Sequence, residues 1–293
     1  MSPASSAMSS VSVLGLGAMG SRIAARLLDA GHSVTVWNRS PEPADALARR
    51  GATVADSPRA AAHTSDAVLS IVRDDDASRE VWASALDGLR PRALAVEMST
   101  VTPDRARQLA ADVAERGGRF VDAPVVGTRP HAEAGTLAVL AGGDAADVDA
   151  LRPVAEAFAG AVHHVGPAGA GMAMKLAVNA MLAVQAAALG ELLAALDAEG
   201  IDPADAASTL AAMPTASPAA ARLGTLMAEG ATSPNFPISL VAKDAAYARS
   251  LSDAAGLSGH VLAATARAFA DAERAGLGAL DIVGVARLYA TSE

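Results

Sequence analysis

The chain of 293 residues contains no cysteine, and aromatic residues make up only 3% of it. The absence of cysteine excludes disulfide bonds, thiolate zinc sites and cysteine nucleophiles, and it favours a reducing compartment, here the cytoplasm. Basic residues are also scarce, because 23 Lys and Arg stand against 32 Asp and Glu, for a net charge of -9. We therefore expect no nucleic-acid partner, which would require clustered Lys and Arg.

Signatures of metal and hydrolase chemistry are missing as well. The six histidines show no H-E-x-x-H spacing, and no G-x-S-x-G segment occurs. We predict no metal site and no hydrolase with a nucleophile elbow.

Only one apolar segment is long enough to span a bilayer, residues 176–196. Most of it is alanine, and Asn179, Gln185 and Glu191 interrupt it. A buried helix within an all-helical region explains this composition better than a membrane span. We expect no membrane partner.

The hydrophobic fraction of 52% predicts a folded globular chain, and its length favours two domains. In the first half, short β-branched segments alternate with helical patterns such as 19–30, which predicts a doubly wound parallel sheet with crossover helices. The predicted strands are 11–14, 34–37, 67–72, 93–98, 120–122, 136–141 and 161–165. Only helices are predicted after residue 168. The expected organisation is a disordered tail over 1–10, an α/β domain over 11–167 and an all-α domain over 168–293.

A G-x-G-x-x-G motif stands between the first predicted strand and the first predicted helix. Gly15 would make the tight turn, Gly17 would let a pyrophosphate approach the backbone, and Gly20 would let helix and strand pack closely. In this context the motif predicts a Rossmann-type dinucleotide-binding domain. The residues expected to hold the cofactor here are Gly15, Leu16, Gly17, Ala18, Met19 and Gly20.

The end of the second strand bears on the choice of cofactor. NAD sites usually carry an acid there, whereas this chain has Asn38, Arg39 and Ser40, and we expect all three to contact the cofactor. Arg39 offers a planar guanidinium to a 2′-phosphate and Ser40 adds a hydroxyl, so NADP is the preferred cofactor. If Arg39 is only a solvated loop residue, NAD is also possible.

Lys175 and Asn179 stand four residues apart at the start of the long predicted helix, so both lie on one face. A lysine among apolar neighbours would be partly desolvated, which lowers its pKa and suits it to proton transfer. The alternative is a lysine at a helix start whose amine reaches solvent.

Five segments, in chain order, resemble the signatures of the β-hydroxyacid dehydrogenases. They are residues 15–20, 97–100, 120–137, 169–179 and 243–244. The resemblance covers nearly the whole chain, and it implies a Rossmann domain followed by an all-helical domain that forms a homodimer or a higher homo-oligomer. The implied reaction interconverts a small hydroxy acid and its semialdehyde or keto form.

The resemblance also assigns roles to residues. Lys175 is the implied catalytic acid and base, and Asn179 orients the substrate. Thr100 and Lys243 are implied contacts near the nicotinamide end of the cofactor. Gly127 and Thr128 belong to the implied substrate-anchoring loop.

Two departures from the family pattern affect these expectations. Val126 replaces a serine that helps to hold the substrate carboxylate. Val72 and Arg73 stand where family members often have Leu-Pro, and we include both among the expected contacts of the cofactor. Arg73 is either a substitute anchor for the acid or part of an acidic helix cap with Asp74, and we favour the cap. An imine reductase-like enzyme and a nucleotide-binding sensor without catalysis remain alternatives.

Overall fold

The computed structural model describes residues 10–231 and 233–289. The predicted order, an α/β region followed by an all-helical region, is confirmed. The chain divides into two compact units between Lys175 and Leu176. Ser10, which we placed in the tail, already belongs to the first strand, and the rest of that predicted tail lies outside the described residues.

In the part of the chain that the structure describes, nine strands and seven helices precede the long helix of the second half, and they alternate except for one pair of consecutive strands. The strands are β1 (Ser10–Leu14), β2 (Ser33–Trp37), β3 (Thr53–Val54), β4 (Ala67–Ser70), β5 (Leu94–Glu97), β6 (Arg119–Asp122), β7 (Val125–Val126), β8 (Leu137–Gly143) and β9 (Ala159–Gly166). The helices are α1 (Gly20–Asp29), α2 (Glu42–Ala48), α3 (Pro58–His63), α4 (Asp75–Ala85), α5 (Pro103–Ala114), α6 (Arg129–Ala134) and α7 (Ala145–Ala155), with a 3-10 turn at Leu86–Gly88.

The strands form one sheet in the order β3-β2-β1-β4-β5-β6-β8-β7, and β9 pairs with β8. The first six strands of this order are parallel, and the order reverses between β1 and β4. In such sheets ligands bind outside the carboxyl ends of the strands at this switch point. The loops after β1 and β4 meet there.

The far side of the sheet is mixed, whereas the sequence predicts a parallel sheet. Strand β8 runs antiparallel to β6 and β7 and parallel to β9. We missed the two-residue strands β3 and β7, and β4 ends at Ser70 although we predicted a strand to residue 72. The reason is that the backbone N–H of Val72 donates to the hydroxyl of Ser99 rather than to a neighbouring strand.

Apolar side chains cover both faces of the sheet. Val13 packs with Ile23 of α1 in one cluster, and Leu14 packs with Trp82 of α4 in the other. Trp82 is fully buried. This two-sided burial explains why the strands read as continuous apolar runs.

The described residues of the second unit form helices and the loops that connect them. Its helices are α8 (Ala170–Ala198, whose first turns belong to the first unit), α9 (Pro203–Ala211), α10 (Pro218–Ala228), α11 (Ile238–Ala254) and α12 (His260–Ala272), followed by a π turn (Glu273–Leu277) and a 3-10 helix (Ile282–Leu288). Asp202 and Ser217 cap α9 and α10, and a proline follows each of them in the first turn. The core contains Phe269, Ile238 and Val285.

By length and composition α8 is the one helix of the described residues that could cross a membrane, with a mean hydropathy of 1.6 over its most apolar window. Of that window, 44% is buried inside the protein. Met172, Leu176 and Ala186 are fully buried and belong to three separate apolar clusters. One side of α8 therefore packs inside the protein.

Candidate functional site

The glycine loop after β1 has the shape that a dinucleotide requires. Gly15 has a φ of +97°, and a Cβ on it would lie 2.3 Å from the carbonyl oxygen of Ile71. A Cβ on Gly20 would lie 2.0 Å from the carbonyl oxygen of Gly15, so helix α1 starts directly against the loop. A side chain at either position would force the loop away from the sheet.

Gly17 differs from these two glycines, because nothing lies within 4 Å of the Cβ it lacks. Gly17 and its neighbour Ala18 are exposed. No side chain caps the N-terminus of α1, and its first turn contains no acid. Uncapped N–H groups beside open space fit the diphosphate of a dinucleotide.

The three residues after β2 differ in their surroundings. The Asn38 carboxamide accepts from the backbone N–H of Leu16 at 2.8 Å and donates to the carbonyl of Ser40 at 2.9 Å. Asn38 therefore holds the glycine loop. Arg39 and Ser40 are exposed, and both could reach a ligand bound along this edge.

Ser99, which we did not single out, connects the loops that follow β4 and β5. Its hydroxyl accepts from the N–H of Val72 at 2.7 Å, and its own N–H donates to the carboxylate of Glu97 at 2.9 Å. Val72 and Thr100, both predicted cofactor contacts, thereby belong to one connected structure at the carboxyl edge of the sheet.

Glu97 is fully buried at the end of β5. Burial raises the pKa of this carboxyl, whereas hydrogen bonds from Ser78, Ser99 and Trp82 lower it. Behind it, Arg105 donates to the Ser78 hydroxyl at 3.2 Å. Burial lowers the pKa of Arg105, and the charge of Glu97 raises it. This network of hydrogen bonds supports the loop after β5 from inside the protein.

The acidic segment after Val72 forms a helix cap, as we favoured. The Asp74 carboxylate accepts from the N–H of Ala77 at the start of α4. Asp75 accepts from the backbone N–H and the hydroxyl of Thr102, at 2.8 and 2.7 Å, and so joins α4 to α5. The side chain of Arg73 is 64% exposed, with its Nε 4.0 Å from Asp74.

The predicted substrate loop follows β7. Val126 is half-buried and pairs with Ala138 of β8. Gly127 has a φ of +142°, and a Cβ on it would lie 2.6 Å from Leu137. Thr128 is the N-cap residue of α6, and its hydroxyl lies 2.8 Å from Nδ1 of His131. Thr128 is therefore already engaged with a neighbour in its own turn.

The start of α8, which carries Lys175, contacts the end of β6. The Asp122 carboxylate accepts from the N–H groups of Gly169 and Met172. Lys175 follows Met172 by three residues and is half-buried. Asn179 lies one helical turn further along α8.

In the second unit, Asn179 and Lys243 meet at a shared carboxylate. Asp244 is 3% exposed and accepts from the Asn179 carboxamide at 2.6 Å. The Lys243 amine lies 2.8 Å from the other oxygen of Asp244 and 4.8 Å from the centre of the Tyr247 ring. We did not predict a site role for Asp244. An acid next to Lys243, with Val241, Ala242, Ala245 and Ala246 on either side of the pair, was the available signal.

Two family models cover the described chain almost completely. Residues 10–166 match the NAD binding domain of 6-phosphogluconate dehydrogenase, and residues 169–289 match the NAD-binding model of NADP-dependent 3-hydroxyisobutyrate dehydrogenase.

Several known proteins are similar to this chain. Glyoxylate/succinic semialdehyde reductase 1 of Arabidopsis thaliana is 31% identical over 94% of this chain and 96% of its own length. The mitochondrial 3-hydroxyisobutyrate dehydrogenase of Drosophila melanogaster is 34% identical, with the match spanning 66% of this chain and only 60% of that relative. A solved structure of 3-hydroxyisobutyrate dehydrogenase from Mycobacterium tuberculosis with L-serine is 29% identical, with a TM-score of 0.90 over 97% of this chain and 100% of that one.

Proposed function

The chain belongs to the β-hydroxyacid dehydrogenase family of NAD(P)-dependent oxidoreductases, which includes 3-hydroxyisobutyrate dehydrogenase, and from this premise we propose that it is an NADP-preferring enzyme that interconverts a small hydroxy acid and its semialdehyde or keto form. The observation that carries the proposal is the position of Lys175, one turn before Asn179 at the start of α8. An amine and a carboxamide on one helix face supply a proton-transfer group and a hydrogen-bonding partner for a substrate.

The glycine loop, Arg39 and Ser40 would hold the cofactor in this proposal. The cofactor, when bound, supplies or accepts a hydride at its nicotinamide ring. Two features support NADP over NAD: the exposed guanidinium of Arg39, and the absence of an acid between Trp37 and Pro41.

Lys175 would handle the proton of the reacting hydroxyl. In reduction its ammonium form donates a proton to the carbonyl oxygen, and in oxidation its neutral form removes the hydroxyl proton. Asn179 would orient the substrate, with its own amide oriented by Asp244. Val126 in place of a polar residue leaves the substrate loop tolerant of less polar substrates.

Replacement of the lysine tests this function directly. We expect Lys175→Ala to lower kcat by about a hundredfold to ten-thousandfold, because that is the usual contribution of general acid or base catalysis. The Kd for NADPH, measured by fluorescence titration, should stay within about twofold of the wild-type value, since the glycine loop is unchanged.

Lys175→Arg is the matched control for charge. It keeps the positive charge but does not release its proton, so it should restore little activity. The wild-type oxidation rate should rise with pH, and this rise should be absent from Lys175→Ala. A Lys175→Ala enzyme with a near wild-type rate would contradict the assignment and favour the imine reductase-like alternative, in which the proton comes from another group.

A further inference from the structure

A buried carboxylate lies beneath the first turn of α8. Asp122 ends β6, is fully buried, and accepts from the N–H groups of Gly169 and Met172, each at 2.8 Å. The first N–H groups of a helix have no partners inside the helix, and its N-terminus carries partial positive charge. A single strand residue therefore satisfies two donors at the beginning of α8.

Two glycines bring this helix start into direct contact with the sheet. A Cβ on Gly142 of β8 would lie 2.5 Å from Oδ1 of Asp122 and 2.7 Å from the backbone nitrogen of Gly171. A Cβ on Gly171 would lie 2.4 Å from the carbonyl oxygen of Leu140. The first turn of α8 consequently rests on β6 and β8 without intervening side chains, and small displacements of the helix would break these contacts.

We propose that Asp122 is a positioning residue, whose carboxylate fixes the first turn of α8 and thereby the location of the Lys175 amine. The inference rests on the proposed role of Lys175. The connection is short, because Lys175 follows Met172 by three residues, less than one helical turn. Asp122 acts on the reaction through the helix backbone and has no contact with the reacting atoms in this proposal.

Only the ionised carboxylate can accept both hydrogen bonds in full. In the protonated form one oxygen carries a hydrogen that would face an N–H donor, so one of the two bonds weakens. Burial raises the pKa of Asp122 to about 6, against the opposing effect of the backbone N–H groups. The kcat for reduction should therefore fall as the pH drops through about 6.

Other ionisable groups surround this position and enter the interpretation. Glu97 is the register partner of Asp122 on β5, and the Arg107 guanidinium of α5 would lie 2.9 Å from a Cβ on Gly169. Nε2 of His164 in β9 lies 2.9 Å from the carbonyl of Gly143 in β8. On α8 itself Lys175 is the nearest charged residue along the chain, and Glu191 and Asp197 follow much further along the helix. Removal of Asp122 distinguishes its titration from those of these neighbours.

The experiment combines Asp122→Asn and Lys175→Ala, singly and together. Asparagine has the same shape, but its NH2 group would face one N–H of α8. We expect Asp122→Asn to lower kcat by about tenfold to a hundredfold, the scale of a small misplacement of a catalytic group, with the KM for NADPH changed less than about twofold. In the Lys175→Ala background the same substitution should change kcat by less than about twofold.

The pH profile gives a second readout. Wild-type kcat for reduction should show a loss of activity below about pH 6, and Asp122→Asn should lack this limb. If Asp122→Asn does not fold, the wild-type profile decides, and a flat kcat between about pH 5 and 8 would overturn the inference.

The outcomes separate this inference from the proposed function. An active Lys175→Ala enzyme would overturn the proposed function and the inference with it. An inactive Lys175→Ala beside an Asp122→Asn enzyme with wild-type kcat would overturn the inference alone. Equal losses from Asp122→Asn in both backgrounds would show a general structural effect and would also overturn it.

Discussion

Adjacent residues at the end of β2 have different roles. Asn38 uses the oxygen and the nitrogen of its carboxamide for contacts with the protein backbone. The next two side chains, Arg39 and Ser40, point to the exposed surface. The sequence alone assigned all three residues to the cofactor, because it does not reveal which of them the glycine loop requires for its own conformation.

At this position Arg39→Ala should raise the KM for NADP while it leaves that for NAD nearly unchanged. Loss of a charge-assisted contact with the 2′-phosphate costs about 1.5 to 3 kcal/mol, which corresponds to about a tenfold to hundredfold increase. Initial rates with both cofactors measure the effect, and Arg49→Ala, an exposed arginine of the same region, is the control. Equal wild-type efficiency with NAD and NADP would contradict the assignment.

Val126 offers a second prediction for a single residue. Val126→Thr adds a hydroxyl with almost no change of shape, and Val126→Ser adds one with loss of bulk. Both should lower the KM for short hydroxy acids relative to the KM for uncharged alcohols or imines. The change should correspond to about 1.5 to 3 kcal/mol of binding free energy if the hydroxyl binds the carboxylate away from water. Val126→Ala is the matched control without a hydroxyl. An unchanged preference in Val126→Thr would show that another group holds the acid.

Among the elements, the start of α8 shows how one buried carboxylate affects both the position of a helix and the stability of the fold. Asp122 is fully buried, and its pKa in the folded protein, about 6, lies above the ordinary value of 3.8. A carboxyl with a raised pKa stabilises the fold when it is protonated. This contribution is complete below about pH 3.8 and is lost as the pH rises through about 6.

Asp122→Asn should therefore change the pH dependence of stability in a defined direction. The free energy of unfolding of the variant, relative to wild type, should increase by up to about 3 kcal/mol between about pH 4 and 7, because the variant has no charge to bury. Urea denaturation at several pH values measures the difference. A difference that stays constant with pH would mean that Asp122 titrates near its ordinary pKa.

Local sequence patterns predict some of these elements and not others. They were sufficient for β1, the glycine loop and α1, because strand, turn and helix signals follow each other within 20 residues. They were insufficient for β7 and for the antiparallel pairing of β8, which depend on partners elsewhere in the sheet. No individual role was assigned to Asp122 or Asp244 for the same reason, since they bind groups 47 to 65 residues away.

For the whole molecule, the exposed face of α8 predicts assembly. Met174, Val178 and Met181 are 45%, 37% and 65% exposed and lie on one side of the helix at spacings of four and three residues. A stripe of exposed large apolar side chains is unusual on a monomer, and a two-fold dimer is the commonest way to cover one. We expect light scattering to give about twice the chain mass of 29.1 kDa.

Met181→Glu should weaken this assembly, because it would bury a charge in the expected contact. Val54→Glu, a change at an exposed valine of β3, is the control and should leave the mass unchanged. Wild-type protein that scatters as a monomer at micromolar concentration would refute the prediction.

The double use of the Asn38 carboxamide has a consequence for protein engineering. Because Asn38 supports the glycine loop while Arg39 and Ser40 face outward, the two outward positions form a module that can be exchanged separately. A library that varies residues 39 and 40 and keeps Asn38 should yield folded enzymes with altered coenzyme choice. Randomising Asn38 as well would mostly produce proteins that no longer bind either coenzyme. The same arrangement offers evolution a short route between the two coenzymes.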